Sequence, residues 1–412
     1  MASTSRAPGI RPERTLGLLA IAHAVNHAQA VLLPLIYLRI IGEFSVNEAT
    51  IAYLAAAGAV ASGAVQLSYA KLTRVFSRRW LLTAGGVLFG GGFAAQALAP
   101  GFPAFAVTNI ASRIGGSPQH PVGNGMLADQ FPPERRGFAI SAHIAGGNVG
   151  TVVVALVGAW LIGGIGWRWT AVLFGIPAIL IALGIFLLVR ETSTDRDAAI
   201  AHGSVGQAFR VILKDRDHLW IYAASVLGGG GRGLGVVNLF ALIYLTSVIG
   251  LPQNQADVMY GALIVFSVPA PLVAGWLSDR IGRKPLIIGV YVGGAVAFAV
   301  FMLAGASLVG LWLGIVLMGL FTFAESPQLQ ALLADIAAPS IRDASFAAYF
   351  TLAFGVGSLW TAIYGAIIDV AGNAAGVPIA FALMATAFIV AAICIVFVRE
   401  PPRSARPVLH EP

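Results

Sequence analysis

The chain has 412 residues, 58% of them hydrophobic and 10% charged, with a formal net charge of +7. A soluble domain carries about 25% charged residues, so this balance, with a mean hydropathy of +0.84, excludes a soluble enzyme. The positive charge sits in short connectors between long apolar runs, which is the pattern of a polytopic membrane protein and not of a nucleic-acid binder.

Runs long enough to cross about 30 Å of hydrocarbon are predicted at 15–41, 47–70, 80–99, 103–130, 137–163, 167–189, 218–249, 255–278, 284–305, 309–336, 342–370 and 376–398. Residues 1–14 are polar and basic and read as a retained tail, not a cleaved signal. Residues 190–217, with "RETSTDRD" and "KDRDH", form the one long polar break. They link a six-helix bundle at 15–189 to another at 218–398, followed by a tail at 399–412. The expected fold is an all-α membrane protein of twelve transmembrane helices in two pseudo-symmetric six-helix bundles. Of the 25 Lys and Arg, 21 fall in the termini and the even-numbered connectors, so both termini are expected in the cytoplasm, with the chain in the cell inner membrane. The single cysteine, Cys394, permits no disulfide framework and no cysteine metal site.

On span one, His23, Asn26 and His27 share a helical face. His-x-x-x-His is a metal-ligand spacing, but without a nearby carboxylate or third ligand no metal is expected. Substrate or proton contact and hydrogen-bonded packing remain alternatives there. On span four, Asn109, Arg113, Ser117, His120 and Asn124 follow spacings of four, four, three and four, again one face. Within that span "GGSPQHPVGNG" carries Pro118 and Pro121, which should bend or unwind it. On span seven, Arg232 lies in "GGGGRGLG"; no strand precedes the glycines, so they suit close helix approach and not a nucleotide. On span ten, "ESPQLQ" holds Gln328 and the only deep acid, Glu325.

The two halves echo one another. Leu127-Ala128-Asp129 recurs as Leu333-Ala334-Asp335, an offset of 206 residues, and half of 412 is 206. The same offset carries Asn26 onto Arg232. A duplicated six-span unit explains this.

After span eight, "GWLSDRIGRKP" (Gly275 to Pro285) fits Gly-x-x-x-Asp-Arg-x-Gly-Arg-Lys. Asp279 suits a helix N-terminus, Gly282 a tight turn, and Arg280, Arg283 and Lys284 can pair across the membrane face. With this motif, twelve spans and a duplicated half, the chain resembles the major facilitator superfamily. The matching first-half stretch, "YAKLTRVFSRR", departs from it: Thr73 stands where Asp is expected and Phe76 where Gly is expected. Within that superfamily, "AHAVNHAQAVLLPLIYLRIIGEFSV", His120-Pro121 and "HIAGGNVGT" are similar to the fosmidomycin-resistance type of exporter. Span five reads "GTVVVALVGAW" and lacks the Gly-Pro pair of the antiporter motif.

The resemblance implies a central cavity lined by spans one, four, seven and ten, and a connector cluster that latches the cytoplasmic side. Substrate contacts are expected at Arg113, Arg232, Asn26, His27, His120, Asn124 and Gln328. Proton coupling is expected at Glu325, then His27 and His120, and gating at Asp279, Arg280, Gly282, Arg283 and Lys284. Two deep arginines against one deep acid favour an anionic substrate, unless Arg232 and Glu325 neutralise each other. The expected protein is a monomeric, non-enzymatic secondary transporter working by alternating access in lipid. It needs no cofactor beyond a proton gradient and exports a small anionic or amphipathic compound. Uptake of an organic anion such as a carboxylate is the alternative; a channel and a membrane-embedded enzyme lack supporting motifs.

Overall fold

The computed structural model describes residues 9–191, 197, 200–201, 203–357 and 359–402. The expected tails and linker are thus described only in part. Among the described residues, eight helices are long and apolar enough to cross a membrane, and one bent pair makes a ninth. Two of the eight, Pro133–Leu188 and Arg342–Val396, each contain two spans. They fold at Gly166 (φ 76°, ψ 161°) and Gly372 (φ 73°, ψ 165°). That left-handed conformation suits glycine, and the two positions are 206 residues apart. Span four, Phe102–Gly116 and Pro121–Gln130, is split by a 3-10 turn at Ser117–Gln119 and completes the twelve.

Span one (Pro12–Glu43) packs closely on span five, the first part of Pro133–Leu188. A Cβ on Gly150 would lie 1.8 Å from the Ala24 carbonyl oxygen, so only glycine admits this approach. The second half has an aromatic core in which Tyr244, Phe298, Phe301, Phe381 and Phe388 meet ring to ring. The first half is held by smaller clusters around Leu32, Ile36, Phe105 and Trp167. Leu156, Trp160, Leu303 and Val370 stay exposed on the outside, which suits a surface solvated by lipid. Asn47 and Ser77 cap spans two (Glu48–Val75) and three (Arg78–Ala95) through the amides of Thr50 and Trp80.

Spans seven and ten are broken in their middles. Span seven bends by 42° between Arg216–Gly231 and Gly233–Val248. Span ten runs as Leu308–Phe321 and Glu325–Ile336. Residues 322–324 of that break match residues 116–118 of span four at the offset of 206. Backbone groups freed at membrane depth need partners inside the protein. Here the two breaks serve each other: the Gly233 amide donates to the Thr322 carbonyl at 2.9 Å. Span eleven, which begins at Arg342, supplies three more partners. Trp360 Nε1 donates to the Val226 carbonyl at 2.8 Å, Tyr364 Oη to Gly230 at 2.9 Å and Thr361 Oγ1 to Gly235 at 3.3 Å. Trp360 and Tyr364 thus brace a broken helix.

Tyr364→Phe should therefore lower stability by about 1–3 kcal/mol, the cost of one buried carbonyl left unpaired. Thermal unfolding of the detergent-purified protein reads this as a lower Tm. An unchanged Tm would show that the Gly230 carbonyl needs no partner.

Candidate functional site

On the side that carries the termini, the halves are joined by charge (Arg78, Asp129 and Arg136 from the first half; Arg283, Asp335 and Arg342 from the second). Asp129 accepts from Arg78 of its own half and Arg342 of the other. Asp335 accepts from Arg283 of its own half at 3.0 Å and Arg136 of the other at 2.7 Å. The aspartates are 206 residues apart, as are Arg136 and Arg342; Arg78 and Arg283 differ by 205. The clasp is thus two copies of one three-residue unit, each reaching into the opposite bundle.

A further carboxylate completes each copy differently. In the second half Asp279 takes Arg283 at 2.5 Å and accepts the amides of Gly137 and Phe138 at 3.0 and 2.8 Å, near the start of span five. Charge there also opposes the helix dipole. In the first half Thr73 holds the corresponding place and donates to the Tyr69 carbonyl instead. The missing acid comes from across the interface: Asp343 accepts from Arg78 Nε and Nη2 at 3.0 and 2.9 Å. Gly125 leaves the room, since a Cβ there would lie 2.8 Å from the Asp343 carboxylate.

Polar contacts continue inward from the clasp. Asn124 donates to Gln330 at 2.5 Å, Gln328 to Ser141 at 2.8 Å, and Asn148 to the Ser267 carbonyl at 2.7 Å. These bonds span the levels from the terminal face to about halfway along span five. Toward the other face, Glu43 pairs with Arg168 at 2.6 Å, entirely within the first half.

At the centre, Arg232 Nε meets Glu325 Oε1 at 2.6 Å, and Tyr291 Oη lies 3.3 Å from Oε2. Glu325 is fully buried and opens the second helix of span ten, where the helix N-terminus favours its charge. Arg232 sits in the break of span seven with 15% of its side chain exposed, and also donates to the Ser225 carbonyl at 3.2 Å. Arg113 stands apart. Its side chain passes over Gly58 of span two, where a Cβ would lie 2.2 Å from it. Among the described residues its Nε is buried with no hydrogen-bond partner.

The family profile of the Major Facilitator Superfamily matches residues 19–361 and 231–412. The chain belongs to the major facilitator superfamily. It is a multi-pass membrane transporter of that superfamily, whose members carry small molecules. Its fold matches the outward conformation of the transporter FucP, with TM-score 0.80 and 16% identity, over 95% of this chain and 99% of that one. It also matches the human organic anion transporter MFSD10, with TM-score 0.71 and 15% identity, over 95% and 100%. It is 25% identical to the fosmidomycin resistance protein of Escherichia coli over 366 residues, 86% of each chain. It is 26% identical to sugar efflux transporter B of Salmonella typhimurium over 164 residues, covering 38% of this chain and 40% of that one. It is 23% identical to the 4-hydroxybenzoate transporter of Pseudomonas putida over 290 residues, covering 63% and 64%.

Against this superfamily frame, the expected site residues fall into groups. Arg232 and Glu325 meet, so the deep charge is less positive than a count of residues implies. Asn124 and Gln328, expected on substrate, hold the halves together in this state. Asn26 turns from its histidine neighbours toward Gly116, where a Cβ would lie 2.7 Å from its Nδ2. It lines a small cavity with Phe89 and Pro118, inside the first half. Of the expected gating residues, Asp279 crosses the interface to the amides of Gly137 and Phe138 and Arg283 to the Pro133 carbonyl at 2.8 Å, and Gly282 makes the turn at φ 109°. Arg280 lies 3.6 Å over the ring of Trp276. Lys284 donates to the carbonyls of Val396 and Val398 at 2.7 and 3.0 Å, within its own half. Sequence reasoning did not assign gating to Arg78, Asp129, Arg136, Asp335, Arg342 or Asp343, although the Leu-Ala-Asp repeat marked two of them. It also missed Val189-Arg190-Glu191 and Val398-Arg399-Glu400. Glu191 accepts the amides of Arg78 and Arg79 at 3.1 and 3.0 Å, and Glu400 those of Arg283 and Lys284 at 2.7 and 3.0 Å. Each acid caps the span that carries its half's clasp arginine.

Removing one carboxylate from the clasp leaves buried guanidinium groups facing each other. Asp335→Ala should cost about 3–5 kcal/mol, read as a large fall in Tm. A shift no larger than that of an exposed substitution would mean that Arg136 and Arg283 are not held by Asp335.

Proposed function

We propose that the chain couples proton movement to the transport of a small organic anion by alternating access, with Glu325 as proton acceptor and Arg232 and Arg113 as anion contacts. The observation that carries this is the buried Arg232–Glu325 pair, which ties together the two broken spans. While Glu325 is charged, it occupies the Arg232 guanidinium. Protonating it releases that guanidinium to an anion, and the carboxyl group can still donate or accept a hydrogen bond. Proton and anion are then bound together, which is the logic of symport. This reverses the order of preference drawn from sequence, where export stood first. Uptake of a carboxylate also accords with the likeness to a 4-hydroxybenzoate transporter. The lack of an antiporter Gly-Pro pair on span five points the same way. Export remains the second reading, favoured by the likeness to a sugar efflux transporter over part of the chain.

The connector charges support termini and clasp on the cytoplasmic side of the cell inner membrane, and we propose that the chain acts as a monomer. The clasped state is then the outward-facing one. Proton-driven transport needs a cycle in which the clasp breaks, Glu325 discharges its proton, and Arg232 is recaptured.

Proteoliposomes with an alkaline interior and 4-hydroxybenzoate or a sugar acid as probe test this directly. Wild-type protein should accumulate the anion, whereas Glu325→Gln should exchange anion for anion without accumulating it. Undiminished pH-driven accumulation by Glu325→Gln would reject the coupling role, and accumulation only from an acidic interior would favour export. Arg113→Ala should weaken anion binding about tenfold or more, the loss of a charge-assisted hydrogen bond worth roughly 1.5–3 kcal/mol. Equal affinity would remove Arg113 from the site.

A further inference from the structure

His27 and His120, which sequence reading gave to substrate and protons, come together with His23 where spans one, four and five meet. One ring nitrogen from each of His23, His27 and His120 lies within 4.8 Å of the other two. The His23 ring centroid is 4.5 Å from that of His27 and 4.7 Å from that of His120. Sequence reasoning set metal aside for want of a third ligand; the break in span four brings His120 in as that ligand.

Hydrogen bonding shows which nitrogens are free. His23 Nδ1 lies 2.9 Å from the His143 carbonyl oxygen. A carbonyl only accepts, so the proton is on Nδ1 and His23 Nε2 carries a lone pair. That Nε2 is buried without a partner among the described residues, as is His120 Nδ1. His27 Nδ1 lies 3.3 Å from Thr151 Oγ1, which is itself 3.5 Å from the Gly147 carbonyl. In the tautomer that donates from Nδ1 to this hydroxyl, His27 Nε2 carries a lone pair. A fourth histidine, His143, is different: its Nδ1 donates to Asn124 Oδ1 at 2.9 Å and its Nε2 accepts from Gln119 Nε2 at 3.2 Å. It is a satisfied supporting residue. His23 has the arrangement of a metal ligand with its outer partner, one nitrogen held by a carbonyl and the other free and buried; Thr151 orients His27, and His120 offers a free, buried Nδ1.

We infer that His23, His27 and His120 form a three-histidine binding site for a divalent transition-metal ion of the Zn2+ or Co2+ class. Neutral imidazoles without carboxylate or thiolate select such ions over Mg2+ or Ca2+. Metal–nitrogen bonds of about 2.0–2.1 Å require the rings to draw inward, and His120, on the helix break, is placed to move. Gly147 keeps the space clear: a Cβ there would lie 3.0 Å from both the His23 and His27 rings. Three ligands leave a fourth position for water or an anion. His120 stacks on Phe350 and is tilted against Phe354 of the second half, with centroids at 5.0 and 5.4 Å. Span eleven thus covers the site while the clasp is closed. This site does not depend on the proton-coupled reading above, and its test reads no transport.

The test is a Co2+ titration of the full-length protein, purified without a histidine tag. One equivalent should give the visible absorption of a low-symmetry nitrogen-ligated ion, displaced by Zn2+. His27→Gln and His120→Gln should each lose it, while His410→Gln keeps it. Thr151→Ala retains all three ligands, and should bind about 10–100-fold more weakly through loss of the outer partner. A Co2+ spectrum like that of the ion in buffer would overturn the site. So would unchanged binding by the folded His27→Gln and His120→Gln proteins, or by Thr151→Ala if the ligand variants do not fold.

Discussion

A carboxylate removed from water must be matched by cations and hydrogen bonds or it destabilises the structure that holds it. Asp129 and Asp335 are nearly buried, and each is matched by one arginine of its own bundle and one from the other. That requirement adds a charged joint between two halves whose apolar cores also touch, at Ala70, Ala128 and Ile140 of the first half. It also makes the joint reversible. A hydrophobic seam would be hard to part without exposing apolar surface, whereas separated charges can be rehydrated. An interface built from guanidinium–carboxylate pairs is therefore specific in register and still able to open.

The second constraint is backbone satisfaction in lipid. The breaks in spans four, seven and ten place Arg232, Glu325 and His120 at points where the helix does not fill its own hydrogen bonds. The freed groups of spans seven and ten are met by each other and by Trp360, Thr361 and Tyr364 of span eleven. The reactive side chains thus sit on the least regular backbone, braced by regular helices around it. The hydrogen bonds from Asn124 to both Gln330 and His143 run from the inter-half contact to the histidine group. Closure and the central polar residues are physically contiguous.

Much of this was legible in the sequence. Helix number, the division into halves and the offset of 206 residues follow from hydropathy, connector charge and repeated words. Pro118 and Pro121 announced the break in span four, whereas those in spans seven and ten were not read from the sequence. What the sequence concealed was partnership. Arg232 and Glu325 lie 93 residues apart, and no local pattern says that they touch. Thr73 looked like a lost latch, because the acid that replaces it, Asp343, comes from the opposite bundle. His23 and His27 read as a pair without a third ligand, because His120 joins them only where span four unwinds. Asn124 and Gln328 were assigned to substrate because a polar side chain facing the bundle axis can meet either a ligand or the other half. Helical periodicity cannot distinguish these.

The central claim is that the reciprocal carboxylate clasp holds the terminal side shut. Pulsed electron–electron distance measurement tests it, with spin labels on the exposed positions Phe76 and Ile281, which follow spans two and eight, and with the sole native cysteine, Cys394, replaced by serine. Asp129→Asn together with Asp335→Asn should move the distance distribution from one short population to a longer one, with the protein still folded. An unchanged short distance in that folded double variant would contradict the account.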